Sequence, residues 1–149
     1  MVDLTINTRP RTIRLGQPGT RLEKPAGGAI NPGHLVQLGS NDKFTVHNIA
    51  GKRAARMWAL ENELIGKDID TAYATNDLCQ VEHFDSGDWV LAKLAANATA
   101  VLEGDKLESA GDGTLRRTTA DYEDFIAIAL EAVDNSSGGT ETFIKVAVV

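Results

Sequence analysis

The chain has 149 residues, 42% of them hydrophobic and 24% charged, with a formal net charge of −6. Such a length most simply makes one domain, able to bury roughly two thirds of its unfolded surface without a disulfide, metal or cofactor. No apolar run approaches the roughly 20 residues that cross a bilayer, no secretory signal is visible, and the single cysteine, Cys79, excludes an intrachain disulfide or a thiolate zinc cluster, so the expectation is a protein made inside the cell.

The first 28 residues differ from the rest. Arg9, Arg11, Arg14, Arg21 and Lys24 stand there against Asp3 and Glu23, a balance of +3, which leaves −9 for residues 29–149. Pro10, Pro18 and Pro25, with Gly16, Gly19, Gly27 and Gly28, disfavour a helix or a long paired strand, so an extended or irregular N-terminal arm is expected. Leu4, Ile6, Ile13, Leu15 and Leu22 recur through it, more apolar residues than a solvated linker uses, and suggest docking onto a surface. Fully stretched, such an arm reaches at most roughly 90 Å. The alternative is a frayed terminus or a peptide folded back on its own domain. Nucleic acid is not the expected partner, because the basic residues are sparse, lack interleaved aromatics and precede an acidic body.

Residues 29–149 divide into short strand-like runs between turns. HLVQL and FTVHNIAG flank the turn GSNDK and predict a hairpin. In RAARMWALENELIG the Ala, Leu and Glu content favours a helix while the alternation of Met57, Ala59 with Trp58, Leu60 suits a strand, and a strand through Leu60 is expected. Further strands are expected in LCQVEHF, DWVLAKL, ATAVL and GTLRRTT. FIAIALEAV and TFIKVAVV flank DNSSGGTE, a second hairpin in which Gly138 and Gly139 allow a tight reversal. Strands of about five residues between turn clusters predict an antiparallel barrel or sandwich.

The stretch LEGDKLESAGDGTL, residues 102–115, raises the question of a metal or phosphate site. Asp105 and Asp112 are seven apart, with no bidentate Glu in an EF-hand register, and no lysine follows the glycines as a phosphate-binding loop requires. Turn chemistry fits instead, with Gly supplying positive φ and Asp accepting from nearby amides, and DSGDW at 85–89 reads the same way. His34, His47 and His83 lack ligand spacing and are expected to be structural or at the surface. No serine lies in a nucleophile elbow. No metal or cofactor is therefore expected. The I-D-x-x-Y phrase at Ile69 to Tyr73 resembles one signature of trimeric all-β dUTP pyrophosphatases, in which Asp70 matches the catalytic aspartate and Tyr73 the tyrosine of the nucleoside pocket. The family's Gly-Arg-Ser loop and C-terminal glycine-rich segment are absent, so the alternative is that Ile69 and Tyr73 pack in the core and Asp70 sits in a turn.

Taken together, INPGHLVQL, AARMWALENELIGKDIDTAYATNDLCQ, SGDWVLAKLA, VLEGDKLESAGDGTL and FIAIALEAV make residues 30–149 resemble the capsid decoration, or cement, proteins of tailed bacteriophages. The resemblance covers about four fifths of the chain and rests on turns and small apolar residues. It implies a mainly β, compact barrel or sandwich-like domain of the β-tulip type over residues 29–149, preceded by the arm. It also implies a noncatalytic function: binding the major capsid protein on the outer surface of the expanded head as a homotrimer, in a virion assembled in the host cytoplasm. On that reading Ile6, Arg9, Arg11, Ile13, Arg14, Leu15 and Arg21 contact the capsid, a sister subunit or a neighbouring decoration trimer. Trp58, Tyr73 and Trp89, more often core residues, are candidates for the subunit interface. A β-rich glycan-binding module is a further alternative, disfavoured by an aromatic content of 5%.

Overall fold

A computed structural model describes residues 10–118 and 124–149. Among them ten strands form: β1 (Thr20–Pro25), β2 (Val36–Leu38), β3 (Phe44–Val46), β4 (Met57–Ala59), β5 (Leu78–His83), β6 (Trp89–Leu94), β7 (Lys106–Ser109), β8 (Leu115–Arg117), β9 (Ala127–Ala129) and β10 (Thr142–Val148). Strands β10, β6, β8, β7 and β9 close into a barrel, β1, β5 and β4 make a three-stranded sheet in that order, and β2 pairs with β3. The expectation of a mainly β, compact domain holds, including the hairpins β2–β3 and β9–β10 and the strand, rather than helix, ending just before Leu60.

The barrel follows from alternation. In β10 the side chains of Ile144, Val146 and Val148 are buried, while Phe143, Lys145 and Ala147 lie on the other face and are only partly covered. Together with Val90, Leu94, Leu107, Leu115, Ala127 and Ala129 they belong to one apolar core, which continues outside the barrel through Ile13, Leu91, Trp58, Leu60 and Phe84. A second core of Ala26, Ile30, Val36, Phe44, Ala59, Tyr73, Cys79 and Val81 fills the space between the three-stranded sheet and the β2–β3 hairpin. Strand β5 is buried from Cys79 to Glu82 because it separates these two cores.

One edge of β6 is completed by three separate pieces of chain. Leu15 N–H donates to Trp89 O (3.1 Å), Leu91 N–H to Ile13 O (2.8 Å), Lys93 N–H to Gly33 O (3.1 Å) and Ala95 N–H to Leu115 O (2.9 Å). The donors and acceptors recur every second residue, as a strand edge requires. Gly33 can lie this close because it has φ +88 and no Cβ, which would sit 3.0 Å from Leu91 O.

Four expectations need revision. Within the arm, residues 20–25 form β1, paired antiparallel with β5, because Pro18 precedes the strand and Pro25 ends it, so neither interrupts the ladder. ATAVL is not a strand: Val101 makes an isolated bridge to Val133, and the chain then turns as Asp105 Oδ2 accepts from Leu102 N–H. Strand β7 was not singled out as a strand, since it carries one apolar inward residue, Leu107, beside buried Glu108 and Ser109. Gly138 and Gly139 do not supply positive φ. Gly138 is needed instead because a Cβ there would lie 1.9 Å from Asn135 Oδ1, and Asn135 ties the loop down by donating to Ala95 O and Thr140 O.

Candidate interaction surface

The arm residues that the structure describes are not alike. Ile13 is wholly buried in the larger core, and its N–H donates to Glu61 Oε2 at 3.0 Å. Arg14 grips the fully buried carboxylate of Glu82 with Nε (2.8 Å) and Nη2. That hydrogen bond holds its guanidinium above the ordinary range against the opposing effect of burial, aided by the charges of Glu82, Glu63 and Glu61. Leu15 is partly buried against the same core, Arg21 donates to Glu63 (3.0 Å), and Arg11 is exposed. Ile6 and Arg9 lie outside the described residues. Residues 13–15 therefore act as a strap over β6, and Ile13 and the Arg14 guanidinium are engaged by their own domain.

The three aromatic candidates also separate. Trp58 is fully buried and meets Phe84 edge-on with ring centroids 6.0 Å apart. Tyr73 is buried in the second core, its hydroxyl donating to Leu60 O (2.8 Å) and accepting from Gln80 N–H (3.3 Å), and burial pushes its pKa up. Trp89 alone of the three faces solvent, at 54% exposure. It is not isolated. Register places Trp89 opposite Ala147 and Ala147 opposite Ile128, while the Arg14–Val90 bridge places Leu15 beside Trp89. Leu15, Trp89, Ala147 and Ile128 thus form an apolar row across four adjacent backbone segments on the outside of the barrel, about 14 Å from end to end at the usual strand spacing. The solvated face of antiparallel strands is ordinarily polar, so an apolar row there is a candidate contact surface.

The acidic glycine stretch forms the corners of the sheet. Gly104, Gly111 and Gly113 have φ of +87, +90 and +84, and Asp112 Oδ1 accepts from Thr114 N–H (3.1 Å). At residues 85–88 Gly87 has φ +94 and Asp88 Oδ2 accepts from Asp85 N–H (2.9 Å) before β6 begins. Asp70 of the I-D-x-x-Y phrase is an exposed turn residue, and Ile69 and Tyr73 are in the core.

Two polar clusters escaped the sequence reading because their members are far apart in the chain. His47 Nδ1 lies 2.6 Å from Ser109 Oγ, and both are buried. Desolvation lowers the His47 pKa, partly offset by a hydrogen bond to the Arg53 backbone. Both side chains are buried, so the pair has the contacts of a core hydrogen bond. His34 accepts from Asn31 N–H at Nδ1 (3.1 Å), which leaves Nε2–H to donate to Glu141 (2.9 Å). Burial raises the pKa of Glu141, but the hydrogen bond and charge of His34, with Asn31 and Lys93, outweigh it and leave a net lowering. Cys79 is buried, its thiol pushed up to about 12 by desolvation, and is chemically quiet.

No family model matches the sequence, and no curated protein matches it. Among solved structures the fold matches the head fiber gp8.5 N base of bacteriophage phi29, with a TM-score of 0.56 and 14% identity, over 87% of this chain and 93% of that one. The likeness spans nearly the whole of both chains and is one of fold.

Proposed function

We propose that this chain is a noncatalytic decoration protein of a tailed-bacteriophage head. It binds the major capsid protein on the outer surface of the expanded shell as a homotrimer, stabilises that shell, and is assembled in the host cytoplasm. The observation that supports this reading most is the agreement of almost the entire fold with the base of a head fiber, a protein of the same viral surface. The decoration-protein resemblance of residues 30–149 and the apolar row around Trp89 point the same way.

In this reading the Trp89 row meets sister subunits, because it puts a solvent-facing tryptophan among apolar neighbours on the outside of the barrel. One row is too small for a stable interface by itself, which takes about 800 Å² per partner. The trimer therefore needs neighbouring polar contacts, and head binding gains from linkage of three weak patches, worth roughly 10² to 10⁴ in affinity. Arg11 is exposed and available to a carboxylate on the capsid or on an adjacent decoration trimer.

The test is to mix the purified protein with undecorated expanded heads, sediment the mixture and image the pellet, with light scattering on the free protein. Co-sedimentation with density at regular lattice positions, and a trimer mass, are expected. Protein that stays monomeric and in the supernatant, or that releases pyrophosphate from dUTP, overturns the proposal.

A further inference from the structure

A three-fold ring joins two different surfaces of each subunit, whereas a two-fold axis brings a patch against its own copy. Outside the axis itself, the Trp89 row of a trimer therefore meets a different surface of the sister chain. A cavity that borders the row has the required make-up.

The cavity measures about 300 Å³ and is lined by Ala55, Arg56, His83, Phe125, Ile126 and Val149, with Arg53 also bordering it. It lies where the segment entering β4 meets the start of β9 and the end of β10. Val149 stands two residues beyond Ala147 of β10, and its N–H donates to the O of Ile126 (3.0 Å), two residues before Ile128. At about 3.4 Å per residue the cavity begins about 7 Å from the row. Trp89 does not fill it in its own chain, where the side chain is 54% exposed and stands outside the lining.

Its chemistry suits an indole. Phe125 and Ile126 supply an apolar wall, and the small side chain of Ala55 leaves room beside it. Arg56 Nε donates to Val149 O (2.8 Å), which fixes the plane of the guanidinium in the lining. A guanidinium so held attracts the face of an aromatic ring, and of the three aromatic side chains tryptophan answers best. Tryptophan and arginine are also the residues that most often dominate interfaces. A larger cavity of about 460 Å³ beside Ala95 and Asn97 is a poorer receiver: its apolar lining is alanine alone, and its Arg116 and Arg117 are already paired with Glu108 and Asp105.

We propose that the indole of Trp89 enters this cavity in the next subunit, against Arg56 and Phe125, and that three such insertions close the ring. The inference deepens the homotrimer of the proposed function and rests on it. Each subunit contributes one tryptophan and receives one, while Leu15, Ala147 and Ile128 pack around the point of entry.

Trp89 reports its own burial in fluorescence, because Trp58 is already fully buried. On dilution of the full chain, loss of trimer mass in light scattering should coincide with a red shift of tryptophan emission. Ala55→Phe plugs the cavity from an exposed position without adding a tryptophan. It should raise the concentration of half-assembly at least about thirtyfold, with far-ultraviolet circular dichroism unchanged. Should Ala55→Phe not fold, the smaller plug Ala55→Leu is expected to act in the same direction. Excess Trp89→Asp chain keeps the cavity and lacks the indole, so adding it to Ala55→Phe chain should move the emission back to the blue. The product should have the mass of two subunits, since neither member can recruit a third. Trimers of the plugged variant as tight as the parent's, or a mixture with no blue shift at the highest soluble excess, overturn the proposal and leave the trimer standing. A parent that is monomeric at every concentration sinks the homotrimer reading and this inference with it. Trimers that behave as described but ignore heads sink the decoration reading alone.

Discussion

Replacing Arg14 by alanine tests whether the strap is part of the fold. The change leaves the Glu82 carboxylate, 0% exposed, without the guanidinium that grips both of its oxygens. Removing one member of a buried pair commonly costs about 3–5 kcal/mol, because the remaining charge is stranded. Here the Arg14 side chain is itself 35% exposed, so its loss opens a path for water to Glu82 and the cost moves below that range. The loss of two charge-assisted hydrogen bonds, softened by hydration, gives about 2–3 kcal/mol. For a chain of this size that corresponds to a fall in Tm of about 5–10 °C. Arg14→Ala together with Glu82→Gln should recover part of the loss, since no buried charge is then left. Urea unfolding of the parent, the double variant and each single variant, Glu82→Gln included, measures both the loss and the coupling. An Arg14→Ala protein within about 0.5 kcal/mol of the parent would refute the reasoning and show that residues 13–15 do not hold the domain together.

Trp89→Asp should leave the unfolding midpoint nearly unchanged, because Trp89 is more than half exposed, yet abolish trimers in light scattering and head binding in sedimentation. His47 has a lowered pKa in the fold, so the unfolded chain takes up the proton first. Its contribution is complete above about pH 6.5 and is lost as pH falls from there through the folded pKa. Urea midpoints should accordingly drop between pH 7 and pH 5, and the slope should flatten in His47→Gln. Gly104 and Gly113 share a positive φ, but nothing approaches a Cβ at 104, whereas one at 113 meets Val46 Cβ, Val46 Cγ1 and His34 Cγ at 3.0 Å. Gly104→Ala should therefore cost about 1 kcal/mol from backbone conformation alone and Gly113→Ala about 2–4 kcal/mol, read by thermal unfolding.

Much of the fold was legible in the sequence where apolar alternation and turn residues coincide. HLVQL and FTVHN around GSNDK, the alternating TFIKVAV and the glycine-aspartate corners carry their own instructions over fewer than ten residues each. Strand β7 was not, because Glu108 and Ser109 look like surface residues until Arg116 and His47 arrive from elsewhere to satisfy them. Strand β1 was hidden by its prolines, and its partner β5 stands more than fifty residues away.

The two tryptophans show the same limit. Trp58 and Trp89 both begin or occupy short alternating runs, and nothing local distinguishes them. Trp58 is buried because β4 has the barrel packed on its side chain, while Trp89 is exposed because that packing reaches Leu91 but stops short of the strand's first residue. The sequence by itself determined the β character, the turns and the acidic body with its basic beginning, since these depend on neighbours along the chain. Only the tertiary structure decided that Ile13 and Arg14 belong to the domain, that β1 pairs with β5 and that an apolar row crosses the barrel. Each of those depends on which distant segments come to lie side by side, and burial and strand pairing are properties of that arrangement rather than of any one stretch of residues.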